Sequence, residues 1–166
     1  MITVTNDFIT EEEEKEILSH IRVTRLVKNT GDRNNIIRYG SRLPYDGPIK
    51  SATLPEWIIP FIDRIMNEKL LEITPNHMTI NEYKPTQSIG WHIDSKTSGE
   101  VITILSLMSS ATMGLKMGKE ENTYHIPQRS LTQMSGKERW DYKHRIYPVK
   151  SLRFSLVFRC GQKTIK

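Results

Sequence analysis

His92-Ile93-Asp94, His144 and the run Arg153-Phe154-Ser155-Leu156-Val157-Phe158-Arg159 are scattered along the chain, and a fold that uses them together must bring them to one place. Two histidines and one carboxylate form the ligand set of mononuclear non-haem iron(II). They occupy one face of the metal and leave positions open for a co-substrate and oxygen. An H-x-D pair suits this geometry, because side chains at i and i+2 of an extended segment point the same way. The arginine run after His144 then offers what such an iron site needs, a fixed cation for the far carboxylate of 2-oxoglutarate.

Each part alone is ordinary. Any two polar residues can flank an apolar one, and a lone histidine is commonly a surface or hydrogen-bonded residue. His20, His77 and His125 are read that way. Taken alone, the arginine run reads as a strand with Phe154, Leu156 and Phe158 on the core face and Arg153, Ser155 and Arg159 in solvent. The order of the three pieces in a chain of 166 residues carries the argument.

At these positions the chain resembles the AlkB-like iron(II)/2-oxoglutarate-dependent dioxygenases. The resemblance covers roughly residues 76 to 160, and more loosely the stretch near Arg38-Tyr39-Gly40. The matching pieces are Asn81-Glu82-Tyr83, His92-Ile93-Asp94, Ile126-Pro127-Gln128-Arg129-Ser130-Leu131, Ser135-Gly136-Lys137-Glu138-Arg139-Trp140, His144 and Arg153 to Arg159. The resemblance implies that His92, Asp94 and His144 bind Fe(II) and are catalytic. It implies that Asn81, Tyr83 and Arg153 hold 2-oxoglutarate, with Ser155 and Arg159 lining the same pocket, and that O2 is the second co-substrate. The implied fold is α+β, a double-stranded β-helix (jelly-roll) core with supporting N-terminal helices. Two positions depart from the pattern. Arg145 stands where the family often has a small residue, and is expected to put a charge near the metal-side rim. Ser155 stands where Asn is common. It is shorter, so its contact to the co-substrate is expected to be lost or bridged by water.

A chain of this length is read as one domain, 1–166, with about 22–50 as a substrate lid and about 76–160 as the catalytic core. No apolar run is long enough to span a bilayer and no signal-peptide pattern opens the sequence. Cys160 is the one cysteine, which fits a reducing, intracellular compartment. No membrane partner is expected, and a monomer is.

The net charge of +5 is concentrated. Between Arg22 and Lys50 seven basic residues face two acids, and the remainder of the chain is neutral. Tyr39 and Tyr45 lie inside this stretch. Basic groups attract phosphates and aromatic faces stack on unpaired bases. Arg33, Arg38, Tyr39 and Arg42 are therefore the expected substrate-binding residues. A solvated surface segment is the plainer reading.

Local signals give a coarse layout. Thr10 with Glu13 makes a capping box, and Glu11 to Glu14 suit a helix N-terminus. Ile17, Leu18 and Ile21 give that helix an apolar side. Thr53 with Glu56 repeats the box, with Pro55 in the first turn and Trp57, Ile58, Phe61, Ile62 and Ile65 at helical spacing. Pro60 is expected to kink or restart this helix. Trp57 is assigned to the core. Short β-like runs follow near Met78–Tyr83, Val101–Leu107, Tyr124–Ile126, Ser130–Met134 and Arg153–Arg159. Met108, Met113 and Met117 read as adaptable packing.

The expected activity is oxidative demethylation of N-alkylated bases in DNA or RNA, a repair-type reaction on a single-stranded or flipped-out base. An AlkB-like oxygenase that hydroxylates a protein residue, a small molecule or a modified tRNA base is the alternative. A non-catalytic module that kept the fold is disfavoured by the intact ligand triad.

Overall fold

The computed structural model describes residues 1–22, 34–41, 43 and 50–161. In chain order the elements are β1 (Ile2–Thr5), α1 (Glu11–Arg22), β2 (Asn35–Gly40), α2 (Ile59–Asn67), β3 (His77–Tyr83), β4 (Ile89–His92), β5 (Ile102–Leu107), β6 (Ala111–Met117), β7 (Glu120–Ile126), β8 (Leu131–Met134), α3 (Gly136–Trp140), β9 (Lys143–Ile146) and β10 (Arg153–Arg159). The strands form two sheets. One has the order β1-β8-β5-β10-β3-β2, the other β4-β9-β6-β7. From β3 onward the chain shuttles between them, so each sheet is completed by strands far apart in sequence. All ladder pairings are antiparallel. This is the double-stranded β-helix, with helices on one side.

The strand period of two sorts β10 into two halves. Phe154, Leu156 and Phe158 join the apolar cluster that also takes Ile17, Leu18 and Ile21 of α1 and Phe61, Ile62 and Ile65 of α2. Each such side chain contributes roughly 1.5–3 kcal/mol when fully buried. Arg153, Ser155, Val157 and Arg159 point the other way and line a pocket between the sheets. Taken alone the run would leave this polar face in solvent, whereas read with His92, Asp94 and His144 it is expected to line a pocket, as it does. Arg153 and Ser155 are buried because a second sheet covers that face.

Helix α1 starts as its sequence directs. Glu13 N–H donates to Thr10 Oγ1 at 3.2 Å and Thr10 N–H donates to Glu13 Oε2 at 2.7 Å. Glu14, though acidic, is buried and satisfied. It accepts from Met108 N–H at 2.7 Å and from Gln128 Nε2 at 2.8 Å, which ties the helix to the loops that follow β5 and β7. The second box does not form. Residues Glu56–Ile58 make a short 3-10 turn capped at Pro55 with no side-chain cap, and α2 restarts behind it with Pro60 in its first turn. Proline there fixes the entry angle and removes a donor that the helix does not need. Trp57 is only partly buried, packs against the core and stacks on His20 at 5.2 Å.

Five strands lack a strong sequence signal: β1, β2, β4, β6 and β9. β1, β4 and β9 have four residues each and β2 lies at a sheet edge, while β6, Ala-Thr-Met-Gly-Leu-Lys-Met, has a glycine at its centre and few β-branched residues. The β6–β7 hairpin turns at Gly118, where φ is +59° and a side chain would be strained.

Because only the first capping box closes, Thr10→Ala should lower stability by about 1 kcal/mol, whereas Thr53→Ala should change it by less than about 0.5 kcal/mol. Urea denaturation of the two variants checks this, and equal losses would contradict the difference between the two helix starts.

Candidate iron and 2-oxoglutarate site

Strand β4 ends at His92 and pairs with β9 so that His92 lies directly opposite His144. The two rings sit 4.1 Å apart between centroids. Asp94 follows just beyond the strand. Ligand atoms of His92, Asp94 and His144 all lie within 4.8 Å of one another. The two chain segments meet because β4 and β9 are neighbours in the four-stranded sheet.

The donor set fits a cation. Asp94 Oδ2 and His144 Nδ1 are buried with no hydrogen-bond partner. Burial of such acceptors without partners is costly, and a metal ion supplies what the protein leaves open. His92 Nδ1 lies 2.8 Å from the Gly90 carbonyl, so as Nδ1–H it donates there and leaves the Nε2 lone pair free. Arg159 Nη2 donates to Asp94 Oδ1 at 3.0 Å. Although burial opposes ionisation of Asp94, Arg159 and then the two histidines hold its carboxyl well below the usual range. Burial pushes His144 down to about 3, helped by the neighbouring His92.

Beside the triad, Arg153 is fully buried. Its Nη2 donates to Ser106 Oγ at 2.8 Å, while Nε and Nη1 have no partner. A buried guanidinium with two idle donors is a receptor for a carboxylate. The guanidinium carbon stands 5.1 Å from the centre of the Tyr83 ring. Burial raises the Tyr83 phenol, which therefore stays protonated and able to donate. Asn81, Tyr83, Ser155 and Arg159 line the same pocket. Asn81 and Arg159 also serve the protein itself. Asn81 Nδ2 donates to Ser155 Oγ at 3.3 Å and its carbonyl accepts from Asn34 Nδ2 at 2.8 Å. Arg159 spends its donors on Asp94 and, at 3.1 Å, on Thr79 Oγ1.

Sequence reasoning missed two residues. Asn34 props the Asn81–Ser155 pair, and Arg139 holds the loop after the H-x-D motif. Arg139 is buried and donates to the carbonyls of Asp94 at 3.2 Å, Ser95 at 2.6 Å and Gly99 at 3.1 Å. The Ser135–Trp140 stretch pointed to this arginine but not to its role.

Two expectations are corrected. Arg145 is not at the metal-side rim. It follows His144 on a strand, so it projects from the opposite face of β9, against Trp91 and Tyr147. Tyr39 offers no free ring for stacking, because it pairs with Met78 in the sheet and is buried in the core. Arg38, its neighbour on β2, is half-buried. Arg33 and Arg42 lie outside the described residues. His77 is buried and bonded to the Ser41 carbonyl and Thr79.

The depressed His144 sets a pH dependence for the metal-free protein. The unfolded chain takes up this proton near the ordinary 6.5, the folded chain only near 3, so stability falls as pH drops through that window. Asp94, whose folded value is also depressed, adds a loss below its ordinary 3.8. Denaturation midpoints between pH 7 and pH 4 should fall less steeply in His144→Gln than in the parent, and parallel curves would contradict this account.

Comparison with known proteins agrees with this geometry. The family model described as the 2OG-Fe(II) oxygenase superfamily matches residues 14–159. An uncharacterized protein of Acanthamoeba polyphaga mimivirus is 29% identical over 154 residues, which cover 89% of this chain and 73% of that one. The tRNA (carboxymethyluridine(34)-5-O)-methyltransferase ALKBH8 of Mus musculus is 29% identical over 166 residues, covering 90% of this chain but 24% of that protein. The probable RNA/DNA demethylase ALKBH6 of Danio rerio is 27% identical over 104 residues, 62% of this chain and 44% of that one. Among solved structures, OsALKBH1 superposes with a TM-score of 0.70 at 14% identity, covering 96% of this chain and 97% of that one. The cofactors of such enzymes are Fe(II), 2-oxoglutarate and O2, and the chain, with its His-Asp-His triad, belongs to the 2OG-Fe(II) oxygenase superfamily as an AlkB-like oxidoreductase.

Proposed function

We propose that this oxygenase oxidatively demethylates N-alkylated bases in nucleic acid, taking a base that is single-stranded or flipped out. One observation carries the catalytic half. Asp94 Oδ2, His144 Nδ1 and two donors of Arg153 are all buried and partnerless in one small region. In this reading His92, Asp94 and His144 hold Fe(II), and Arg153 takes the far carboxylate of 2-oxoglutarate with Tyr83 donating beside it. Ser155, propped by Asn81, and Arg159 line that pocket. Arg159 keeps Asp94 ionised and Arg139 fixes the backbone on which Asp94 stands.

Bound together, iron, 2-oxoglutarate and O2 supply a two-electron oxidation that puts one oxygen atom into a C–H bond and leaves succinate and carbon dioxide. On an N-methyl group the product is an N-hydroxymethyl. Its C–N bond breaks, the nitrogen recovers a proton, and formaldehyde leaves. The protein's part is to hold the methyl close and exclude water.

The substrate half rests on charge and on relatives. The net positive charge of the chain falls between Arg22 and Lys50, where Arg33, Arg38 and Arg42 would meet phosphates. One relative is named as a probable RNA/DNA demethylase and another after a tRNA nucleoside. The tRNA name favours a second reading, hydroxylation of a modified tRNA base. The chain spans about a quarter of the length of that relative.

Mass spectrometry of methylated oligonucleotides, incubated with iron, ascorbate and 2-oxoglutarate, tests the proposal. The parent should remove methyl groups with formaldehyde release, and Asp94→Ala should not. Turnover of 2-oxoglutarate with no change in any oligonucleotide would overturn the substrate reading, and a stable hydroxylated base would favour the second one.

Arg153→Leu should raise the KM for 2-oxoglutarate. Loss of a charge-assisted partner costs roughly 1.5–3 kcal/mol, a rise of about 10- to 150-fold. Steady-state kinetics checks this, and an unchanged KM would assign the carboxylate to another cation.

A further inference from the structure

The outer face of the four-stranded sheet carries a cluster that the iron pocket does not use. His144 and Ile146 of β9 line the pocket, so Arg145 and Tyr147 face away from it. Trp91, beside His92, lies edge-on to Tyr147 at 6.5 Å. The Arg145 guanidinium sits between the rings, 4.4 Å from the centre of Tyr147 and 5.3 Å from that of Trp91. Lys116 Nζ approaches Trp91 to 6.0 Å. Gly114 makes this possible. A Cβ there would stand 2.8 Å from Trp91 and 2.9 Å from Tyr147, so only a bare backbone lets both rings lie down on the strand.

Three observations say what this face binds. Arg145 has aromatic contacts but no carboxylate among the described residues, and its Nε is buried without a hydrogen-bond partner. Lys116 of β6 lies directly opposite Lys143 of β9, a like-charged cross-strand pair that destabilises the sheet unless an anion lies over it. Glu121, the one acid opposite this row among the described residues, faces Lys116 across β7 and accepts the Tyr147 hydroxyl at 2.7 Å. Three cations against one engaged acid, set beside two aromatic rings on an open sheet, match the phosphates and bases of an unpaired strand.

We propose that Trp91, Lys116, Lys143, Arg145 and Tyr147 form a docking surface for single-stranded nucleic acid, holding the strand that flanks the reacting base. This rests on the nucleic-acid reading above and adds a surface on the back of the strands that carry His92 and His144. An acidic peptide would meet the cations but leave the rings without stacking partners.

The test uses the full chain and a labelled single-stranded oligonucleotide, followed by fluorescence anisotropy over a range of salt. Lys116 and Lys143 are exposed and lie outside the pocket. The double variant Lys116→Ala/Lys143→Ala should bind about tenfold more weakly at low salt, and the slope of log K against log salt should shrink by about 1.4, two phosphate contacts on a single strand. Its 2-oxoglutarate turnover without nucleic acid should match the parent. Its KM for a methylated trinucleotide should be unchanged while that for a longer methylated strand rises. Arg145→Lys, which keeps the charge but loses the planar stack, should also raise the KM for the longer strand. If the double variant binds and turns over long strands as the parent does, the surface is overturned while demethylation by the parent stands. If the parent binds polyglutamate but no oligonucleotide at any salt, both the surface and the nucleic-acid reading fall.

Discussion

The ion pair between Arg159 and Asp94 is the contact around which the pocket is arranged. A carboxylate taken out of water becomes neutral unless a cation and hydrogen bonds hold its charge. At 3.0 Å, Arg159 does this through one oxygen and leaves the other open. The arginine reaches Asp94 only because β10 sits in the middle of its sheet and ends beside the H-x-D segment. The carboxylate stays in place only because Arg139 grips three backbone carbonyls around it. Two arginines thus serve one aspartate, one through its charge and one through its backbone. The third, Arg153, is left with donors to spare.

That surplus suits the pocket to an anionic ligand. A fully buried cation with two idle donors recovers its desolvation cost only in part, through Ser106 and the Tyr83 ring, until an anion arrives. Under the proposed function, the open Oδ2 of Asp94 would ligate the metal, and a dicarboxylate held on that metal would meet the idle donors of Arg153.

Much of the site was legible in the sequence because its groups are charged residues at fixed spacing on strands. His92, Asp94, His144, Arg153 and Ser155 all meet at one pocket, and the alternation of β10 is plain once both its faces are known to be covered. Arg139 and Asn34 were not legible. Arg139 acts on carbonyls, which every residue possesses, and Asn34 acts on another side chain through a single amide. Neither interaction leaves a spacing to read. Arg145 was misplaced because its proximity to His144 along the chain hid the fact that neighbours on a strand face opposite ways. Tyr39 was misjudged from the charge around it, although the alternation in β2 buries it. The second capping box failed because a capping pattern says nothing about what Pro55 does to the turn between its members.

The position of β10 also has a kinetic consequence. It lies between β5 and β3, and both of those are synthesised well before it. Until β10 arrives, two strands expose apolar side chains and unpaired backbone edges to each other across a gap of one strand. Such long-range closure is slow, and unpaired edges invite association with other chains. The same strand that completes the pocket between the sheets ends this exposure, so conditions that slow its insertion should show first as aggregation during refolding rather than as a folded but inactive enzyme.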